Sequence, residues 1–276
     1  MATALTQEQV DGYERDGYLS PVTVFTTQEA LRYRQLLEAA EAEFPEALSG
    51  ANRNNAHCNF TFLDEITHHP KLIDVVECLV GPNIVCCATV LFIKEANDPG
   101  YVSWHQDGKY MGLEPNNGVT AWVALSDSNE TSGCMQVIPG SHKEGMRDHN
   151  DTFADKNILT RGQEAQGIDP SKAVSMPLEA GQVSFHHQQV VHSSQPNQSS
   201  DRRIGFAIQT YFSPEVRQTK GITYVQQVRG EDAYGNFEIA PRPRTDMHPS
   251  DVAMRDKMNQ SWADILYHGS EKRRNY

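Results

Sequence analysis

The chain has 276 residues, of which 38% are hydrophobic and 22% are charged, so it can bury a large core and does not have the composition of a disordered polypeptide. Its formal net charge of −12 argues against nucleic acids and anionic membranes as partners, because both select for basic surfaces. No stretch approaches about 18 apolar residues and the N-terminus has no signal-peptide pattern, so neither a membrane span nor export is expected.

The N-terminal part of the chain is predicted to be helical. Residues 6–9 and 26–29 each contain a threonine followed three positions later by Gln or Glu, which is the pattern of a capping box. Helices are therefore expected over about 7–16 and from residue 27 until Pro45. A third helix is expected over 70–80, because a proline stands at its first position and a glycine follows its end.

The sequence then changes to short β-rich runs separated by Gly, Pro, Asn and Ser. Such runs predict a mainly β protein with flanking α-helices, arranged as a sandwich or jelly roll rather than as alternating βαβ units. A polar, irregular stretch over 146–170 is long for a connection and is typical of a lid or a disordered loop. The predicted strands cover residues 83–93, 118–125, 134–138, 174–178, 182–185 and 203–212.

Residues 1–276 are predicted to form a single domain. It comprises N-terminal helices over about 6–80, a β core over about 83–213 and a polar C-terminal extension over 214–276, with a helix near 251–266.

Five cysteines form no CxxC pair, and Cys86 and Cys87 lie in an apolar run, which favours buried free thiols over a redox pair. Free thiols without an export signal are typical of the cytoplasm, which is the expected compartment.

The sharpest metal-site pattern is formed by His105 and Asp107. On an extended strand both side chains leave on the same face, where one cation can contact both. His192 follows in a later β-rich segment, and two histidines with one carboxylate form the facial triad of non-haem Fe(II) oxygenases, which leaves positions open for a co-substrate and O₂. His186 and His187 lie in the same segment and are rival ligands. The alternative for any single histidine is a core or surface residue.

An arginine pair precedes the last predicted strand of the core. A guanidinium binds a carboxylate through two coplanar hydrogen bonds, so an arginine near the iron site could hold the distal carboxylate of 2-oxoglutarate. Alternation along the strand puts Arg203 on the same face as Gly205 and Ala207, whose small side chains would leave room for a ligand. This favours Arg203 over Arg202.

Several motifs occur in a recognisable order: EQVDGYERDGYLSP, WHQD, AWVAL, GCMQVIPGSH, GQVSFHH and HSSQPNQSSDRR. Over about residues 6–213 the chain resembles the phytanoyl-CoA dioxygenase family. The resemblance implies a double-stranded β-helix (a cupin-like jelly roll) and a dioxygenase that uses Fe(II), 2-oxoglutarate and O₂.

Carried over position by position, the resemblance implies these contacts: iron ligands His105, Asp107 and His192, and co-substrate residues Arg203, Trp122, Gln106 and Ser194. Lys94 matches a common family lysine whose role stays open. His142 lies in a PGSH turn that is interpreted as structural. Halogenating relatives replace the carboxylate ligand by a small residue, so the presence of Asp107 favours hydroxylation.

The expected reaction is hydroxylation of an unactivated C–H bond in a small polar metabolite. Aromatic side chains near the predicted site could enclose an ammonium group, and an Asn-rich cluster over 52–59 could bind an anion, so a zwitterionic amino- or trimethylamino-alkylphosphonate would suit both. The alternative is that the aromatic residues belong to the core and the cluster is a loop. The predicted substrate contacts are Tyr101, Trp104, Tyr110, Asn59 and Tyr211.

Other functions stay open at this point. The substrate could instead be a natural-product or acyl intermediate, although an acidic chain without a basic patch suits coenzyme A poorly. A Zn-dependent hydrolase also accepts two histidines and a carboxylate, but it needs neither O₂ nor Arg203. A non-catalytic jelly-roll binding module needs no metal site at all.

Overall fold

A computed structural model describes residues 4–274. The first two helices begin where the capping boxes predict: the Thr6 hydroxyl accepts from the backbone N–H of Gln9 while the Gln9 side chain accepts from that of Thr6, and Thr26 and Glu29 repeat this exchange. The helices are α1 Gln7–Asp16, α2 Thr27–Glu43, α3 Thr61–Thr67, α4 Pro70–Val80, α5 Gly108–Met111 and α6 Pro249–Leu266.

The β-strands form two main sheets. The major sheet has seven strands in the order β1-β10-β5-β12-β2-β14-β15, and the minor sheet has four in the order β3-β11-β6-β9. The strands are β1 Tyr18–Thr23, β2 Ile84–Lys94, β3 Val102–His105, β4 Leu113–Glu114, β5 Val119–Ala124, β6 Met135–Val137, β7 His149–Asp151, β8 Gln163–Ala165, β9 Val174–Met176, β10 Gln182–His187, β11 His192–Ser194, β12 Arg203–Phe212, β13 Arg217–Gln218, β14 Tyr224–Arg229 and β15 Glu238–Ile239.

The longest strands, β2 and β12, pair side by side inside the major sheet and are buried along almost their whole length. Apolar residues on one face of these strands pack against the N-terminal helices, including Leu37 of α2, Leu72 of α4 and Phe206 of β12. Burial on both faces explains why these strands read as continuous apolar runs rather than as alternating patterns.

The opposite face of the major sheet packs against the minor sheet. The residues that form this inner layer are Trp122, Ala124 and Ala207 from the major sheet and Met135, Val137 and Met176 from the minor sheet. Two facing antiparallel sheets of this kind make the double-stranded β-helix that the sequence predicts, mainly β with flanking helices.

Several regions differ from the sequence-based expectation. The C-terminal extension, predicted to be polar with one helix, contributes β14 and β15 to the major sheet, so the β core does not end at 213. The stretch predicted to be irregular contains β7 and β8, which pair as a small antiparallel sheet. Strand β1 forms the edge of the major sheet beside β10. It was not predicted, because Pro21 interrupts its alternating pattern.

The expectation of buried free thiols holds for Cys86 and Cys87. Burial raises the pKa of both. Within residues 4–274, no helix combines the length and the apolar character that a membrane crossing requires.

Candidate active site

The pairing of β3 with β11 brings the two distant histidines together. His105 and His192 stand directly opposite each other in this antiparallel pair, and their ring centroids are 4.1 Å apart. Asp107 follows β3 after one residue, so its carboxylate turns back to the same face. The register of one strand pair therefore brings His192 to His105 and Asp107, which lie far earlier in the sequence.

The three side chains offer their donor atoms to a common point. One carboxylate oxygen of Asp107, Oδ1, lies 3.2 Å from Nε2 of His105 and 3.9 Å from Nε2 of His192. All three donor atoms lie within 4.8 Å of one another. Two ligands at right angles with bonds of about 2.1 Å would stand about 3 Å apart, so this set fits a transition-metal ion after a small inward movement.

Hydrogen bonds on the far side of each imidazole fix its orientation. Nδ1 of His105 lies 2.9 Å from the carbonyl oxygen of Ser103, and Nδ1 of His192 lies 3.0 Å from that of Val190. A carbonyl oxygen can only accept, so each Nδ1 carries the hydrogen and each Nε2 presents its lone pair to the common point.

The protonation states also suit metal binding. Burial, reinforced by His105, lowers the pKa of His192 well below its usual value, so its ring is neutral. Burial alone would raise the pKa of Asp107, but the surrounding imidazoles, first His192 and then His105 and His186, hold it well below the usual value. Neutral imidazoles and an ionised carboxylate are the forms that bind a metal.

Of the two rival histidines, one reaches the site. His186 lines the same pocket, with Nε2 3.5 Å from the second oxygen of Asp107, and neither of its ring nitrogens has a hydrogen-bond partner among the described residues. His187 points to the other side of β10, where it packs against His142 with a centroid distance of 5.2 Å. His142 likewise lies away from the pocket.

Arg203 is buried beside this group of histidines. Its guanidinium lies 5.2 Å from the ring centroid of Trp122, its Nη1 donates to the carbonyl oxygen of Gly133, and its Nε has no partner among residues 4–274. Burial lowers its pKa to about 10, so it is charged at neutral pH. A buried cation with a free N–H is suited to binding a carboxylate.

Gly205 has a different role from the one expected. A methyl group at this position would lie 1.8 Å from Cζ2 of Trp122, so the glycine makes room for the indole rather than directly for a ligand. Ala207 does line the pocket, as do Trp122 and Arg203.

Lys94 and Ser194 form a contact next to this arginine. Lys94 pairs with Arg203 across β2 and β12 and donates to the Ser194 hydroxyl at 2.8 Å and to the carbonyl oxygen of Gln195. Burial and the charge of Arg203 lower the pKa of Lys94 to about 6. Ser194 lines the pocket, and its contact with the co-substrate stays a prediction.

Gln106 is a correction to the predicted site. Its side chain points away from the pocket because neighbouring strand residues alternate, and its amide donates to the carbonyl oxygens of Gly145 and Gln189 and accepts from the N–H of Arg147. With its amide engaged by three backbone groups, Gln106 tethers two loops and does not contact the co-substrate pocket.

A second, larger cavity of about 510 Å³ opens beside the metal pocket, and Phe92, Asp107 and Gln209 line both. This volume lies in the range of small-molecule sites. Of the five side chains predicted to contact substrate, Tyr110 lines the cavity. The guanidinium of Arg161 covers one face of its ring at 4.8 Å, so that face is not free for an ammonium group.

The other four predicted substrate contacts line neither cavity. Tyr211 is fully buried in the core, where its hydroxyl donates to the carbonyl oxygen of Thr67. Asn59 is also fully buried, and its carbonyl oxygen accepts from the N–H of Met247. Trp104 alternates with His105 and leaves the strand on the opposite face, and Tyr101 pairs through its backbone with the loop at Asn157.

Sequence reasoning missed several residues that do line the cavities. Thr120 donates to Asp107 at 3.3 Å, a contact set by the position of β5 that no local motif marks. The large cavity is lined by residues from several separate segments, among them Arg53, Asn54, Leu159, Trp262, Leu266 and Arg274. Arg53 and Asn54 belong to the Asn-rich cluster over 52–59 that the sequence analysis considered for an anion, whereas nothing in the sequence of the C-terminal extension indicates that it reaches the site.

Comparison with known proteins assigns this arrangement to a family. The family profile for phytanoyl-CoA dioxygenase matches residues 13–205. The chain belongs to the phytanoyl-CoA dioxygenase family, as its motifs predict.

Among curated relatives, a "Probable alpha-ketoglutarate-dependent hypophosphite dioxygenase" of Stutzerimonas stutzeri is 28% identical over 159 residues, which is 55% of each chain. Peroxisomal phytanoyl-CoA dioxygenase of Bos taurus is 32% identical over 49% of this chain and 41% of its own length. The chain thus spans about half the length of the curated relatives it matches.

A solved structure of the non-heme monooxygenase ThoJ in its apo form is similar over nearly the whole chain. Its TM-score is 0.82 at 31% identity, and the match covers 94% of this chain and 97% of that one. CytC3 with Fe(II) and alpha-ketoglutarate has a TM-score of 0.67 at 24% identity, which shows a shared fold.

Proposed function

We propose that the protein is an Fe(II)- and 2-oxoglutarate-dependent dioxygenase that hydroxylates an unactivated C–H bond, with His105, Asp107 and His192 as the iron ligands. The observation that carries this proposal is the convergence of Oδ1 of Asp107 with Nε2 of the two histidines, at 3.2 and 3.9 Å. The donor set and the fixed Nδ1 hydrogens favour a transition metal with open coordination positions.

The protein's own residues provide the co-substrate site. Arg203 holds the distal carboxylate of 2-oxoglutarate through its free N–H groups, and the indole of Trp122 keeps the guanidinium in place. When bound, iron and 2-oxoglutarate supply the oxidising chemistry with O₂. One oxygen atom of O₂ enters the product alcohol and the other enters succinate, with release of CO₂.

The substrate enters through the 510 Å³ cavity and is a small polar metabolite. A zwitterionic amino- or trimethylamino-alkylphosphonate fits a cavity that contains arginine and aromatic side chains. The similarity to a relative named as a hypophosphite dioxygenase supports a phosphorus oxyanion in this role. The buried placement of Tyr211 and the covered face of Tyr110 weaken the case for an aromatic enclosure of the ammonium group.

The proposal is tested with Fe(II) and 2-oxoglutarate under anaerobic conditions. Wild-type protein should develop a visible charge-transfer band and, after O₂ is admitted, should form succinate. Asp107→Ala should lose the band and bind Fe(II) at least about 100-fold more weakly, because a metal ligand is gone. Asp169→Ala, which changes an exposed capping carboxylate, should behave like wild type.

Two results would contradict this function. Product formation by Asp107→Ala at the wild-type rate would refute the ligand assignment. Turnover without O₂ and with Zn²⁺ would instead support a metal-dependent hydrolase.

A further inference from the structure

We propose that Arg53 is the anion-binding residue of the substrate cavity, and that the substrate carries a phosphonate, phosphate or carboxylate group separated by a short chain from the carbon that is oxidised. The inference rests on the proposed function, since it takes the 510 Å³ cavity beside Asp107 to be the substrate site.

The guanidinium of Arg53 is only partly engaged. Its Nε donates to the carbonyl oxygen of Leu48 at 3.1 Å, which fixes the direction of the side chain. Neither Nη group has a hydrogen bond or an ion pair with any of the described residues, and the side chain is partly buried in the cavity wall. Two N–H edges of a fixed guanidinium are therefore free to bind an anion in bidentate geometry.

The other arginines of this region are already occupied. Arg274 lines the same cavity, but its Nη groups donate to the carbonyl oxygens of Ala154, Asn157 and Leu159. Arg202 is held by carboxylates at 2.8 and 2.9 Å. Arg53 is thus the cavity-lining arginine in the described part of the chain whose terminal nitrogens are free.

The local charges leave Arg53 without a compensating carboxylate. Glu41, Glu95 and Asp98 act on it through space, but none forms an ion pair with it: Glu41 and Glu95 pair with Arg202, and Asp98 accepts from backbone N–H groups. Burial lowers the pKa of Arg53, as expected for a cation that is partly removed from water without a partner. In a chain with a net charge of −12, an uncompensated cation inside a cavity indicates an anionic ligand.

The position of Arg53 also limits the length of the substrate. Its neighbour Asn54 forms a bridge with Val90 of β2, whereas Phe92, two residues further along the strand, borders both cavities. Two residues of a strand span about 7 Å. The backbone at Arg53 therefore lies within about one arginine side-chain length of the boundary with the metal pocket, which suits a compound with a short carbon chain.

The C-terminal extension completes the wall around such a chain. Trp262 and Leu266 of α6 line the cavity and offer apolar surface. Arg161 fixes the end of this helix by donating to the carbonyl oxygens of Leu266 and His268, at 2.6 and 2.8 Å. Trp262 and Leu266 lie beyond residues 13–205, so the family profile does not include this part of the cavity wall.

The test is calorimetric titration of anaerobic protein loaded with Fe(II) and saturating 2-oxoglutarate, so that Arg203 is already occupied. The probes are methylphosphonate, 2-aminoethylphosphonate, inorganic phosphate and acetate, with ethanolamine as a probe that lacks an anion. Wild-type protein should bind at least one of the anions and not ethanolamine. Arg53→Gln should bind that anion at least 10-fold more weakly, and Arg53→Lys should retain part of the affinity.

The matched control is Arg32→Gln, which changes an exposed arginine paired with Glu65 and should bind like wild type. The proposal is overturned if no anion binds wild-type protein that shows the charge-transfer band, or if Arg53→Gln binds as tightly as wild type. If the charge-transfer band itself is absent, the proposed function fails. The role of Arg53 is then decided by the same titration in Arg203→Gln protein, which lacks the competing arginine, with and without Arg53→Gln. Equal anion binding by the two proteins would overturn the proposal.

Discussion

The two cavities that meet at Asp107 are built from different kinds of structure. The metal pocket is lined almost wholly by strand residues of both sheets, including His105 of β3, Trp122 of β5 and His192 of β11. The substrate cavity takes much of its lining from a 3₁₀ turn near Arg53, a loop near Asn157 and the C-terminal extension.

This difference separates two tasks. Backbone hydrogen bonds between strands fix the shape of the metal pocket. They also fix the relative positions of the proposed iron ligands, as a metal site requires. Loop and terminal segments can change without disturbing the sheets, so they are suited to defining which substrate is accepted. Variants in the metal pocket should therefore weaken the binding of Fe(II) or 2-oxoglutarate before they change the binding of substrate.

The largest effect is expected at His192, and it discriminates His192 from its neighbour His186 in the same pocket. His192→Ala should weaken Fe(II) binding at least about 100-fold, whereas His186→Ala should weaken it less than about 10-fold, because Nε2 of His186 faces the second carboxylate oxygen rather than the common point. Fe(II) titration under anaerobic conditions measures both. The reverse order would make His186 the ligand.

Arg203→Gln should raise the KM for 2-oxoglutarate by about 10- to 100-fold, because charge-assisted hydrogen bonds to a carboxylate are lost. The kcat at saturating 2-oxoglutarate should change much less. Succinate formation measures both constants. Arg202→Gln is the control, since this side chain pairs with Glu41 and Glu95 and should leave the KM unchanged. An equal effect in the two variants would remove Arg203 from the co-substrate site.

Gly205→Ala should destabilise the protein by about 1–3 kcal/mol, because the added methyl group would overlap the indole of Trp122. Thermal unfolding checks the stability, and the KM for 2-oxoglutarate should rise as the indole shifts against Arg203. Gly12→Ala is a matched control in α1, where the nearest contact of a new methyl group is 3.9 Å away. Unchanged stability of Gly205→Ala would contradict the close approach of the Trp122 indole to the backbone of Gly205.

The smallest effect concerns pH. Lys94 has its pKa lowered to about 6 in the folded protein, mainly by burial, whereas an unfolded lysine titrates near 10.4. Between these values the unfolded chain binds the extra proton, so this group makes folding more favourable as the pH rises, by up to about 1.4 kcal/mol per pH unit. Denaturant unfolding at pH 7 to 9 should show this slope in wild type. Lys94→Met should lose it, and identical slopes would show that Lys94 stays charged when folded.

Local patterns were sufficient for much of the fold. The capping boxes at Thr6 and Thr26 placed the first two helices, because a cap is satisfied by residues three positions away. The apolar runs placed β2, β5 and β12, since their burial leaves a continuous signal in the sequence. The short edge strand β1 and the pair β7 and β8 were missed, because neither carries a pattern that differs from a loop.

The sequence by itself determined the family, and it supplied the residues proposed for iron and 2-oxoglutarate, because His105, Asp107, His192 and Arg203 stand in motifs whose order is recognisable. The tertiary structure decided which neighbouring side chains reach the pocket. The side chain of Gln106 points away from the pocket, and Tyr211 is buried in the core, where it cannot contact a substrate. It also brought the C-terminal extension to the cavity. Contacts between segments so far apart leave no local trace, since they depend on how sheets and helices pack and not on the spacing of residues along the chain.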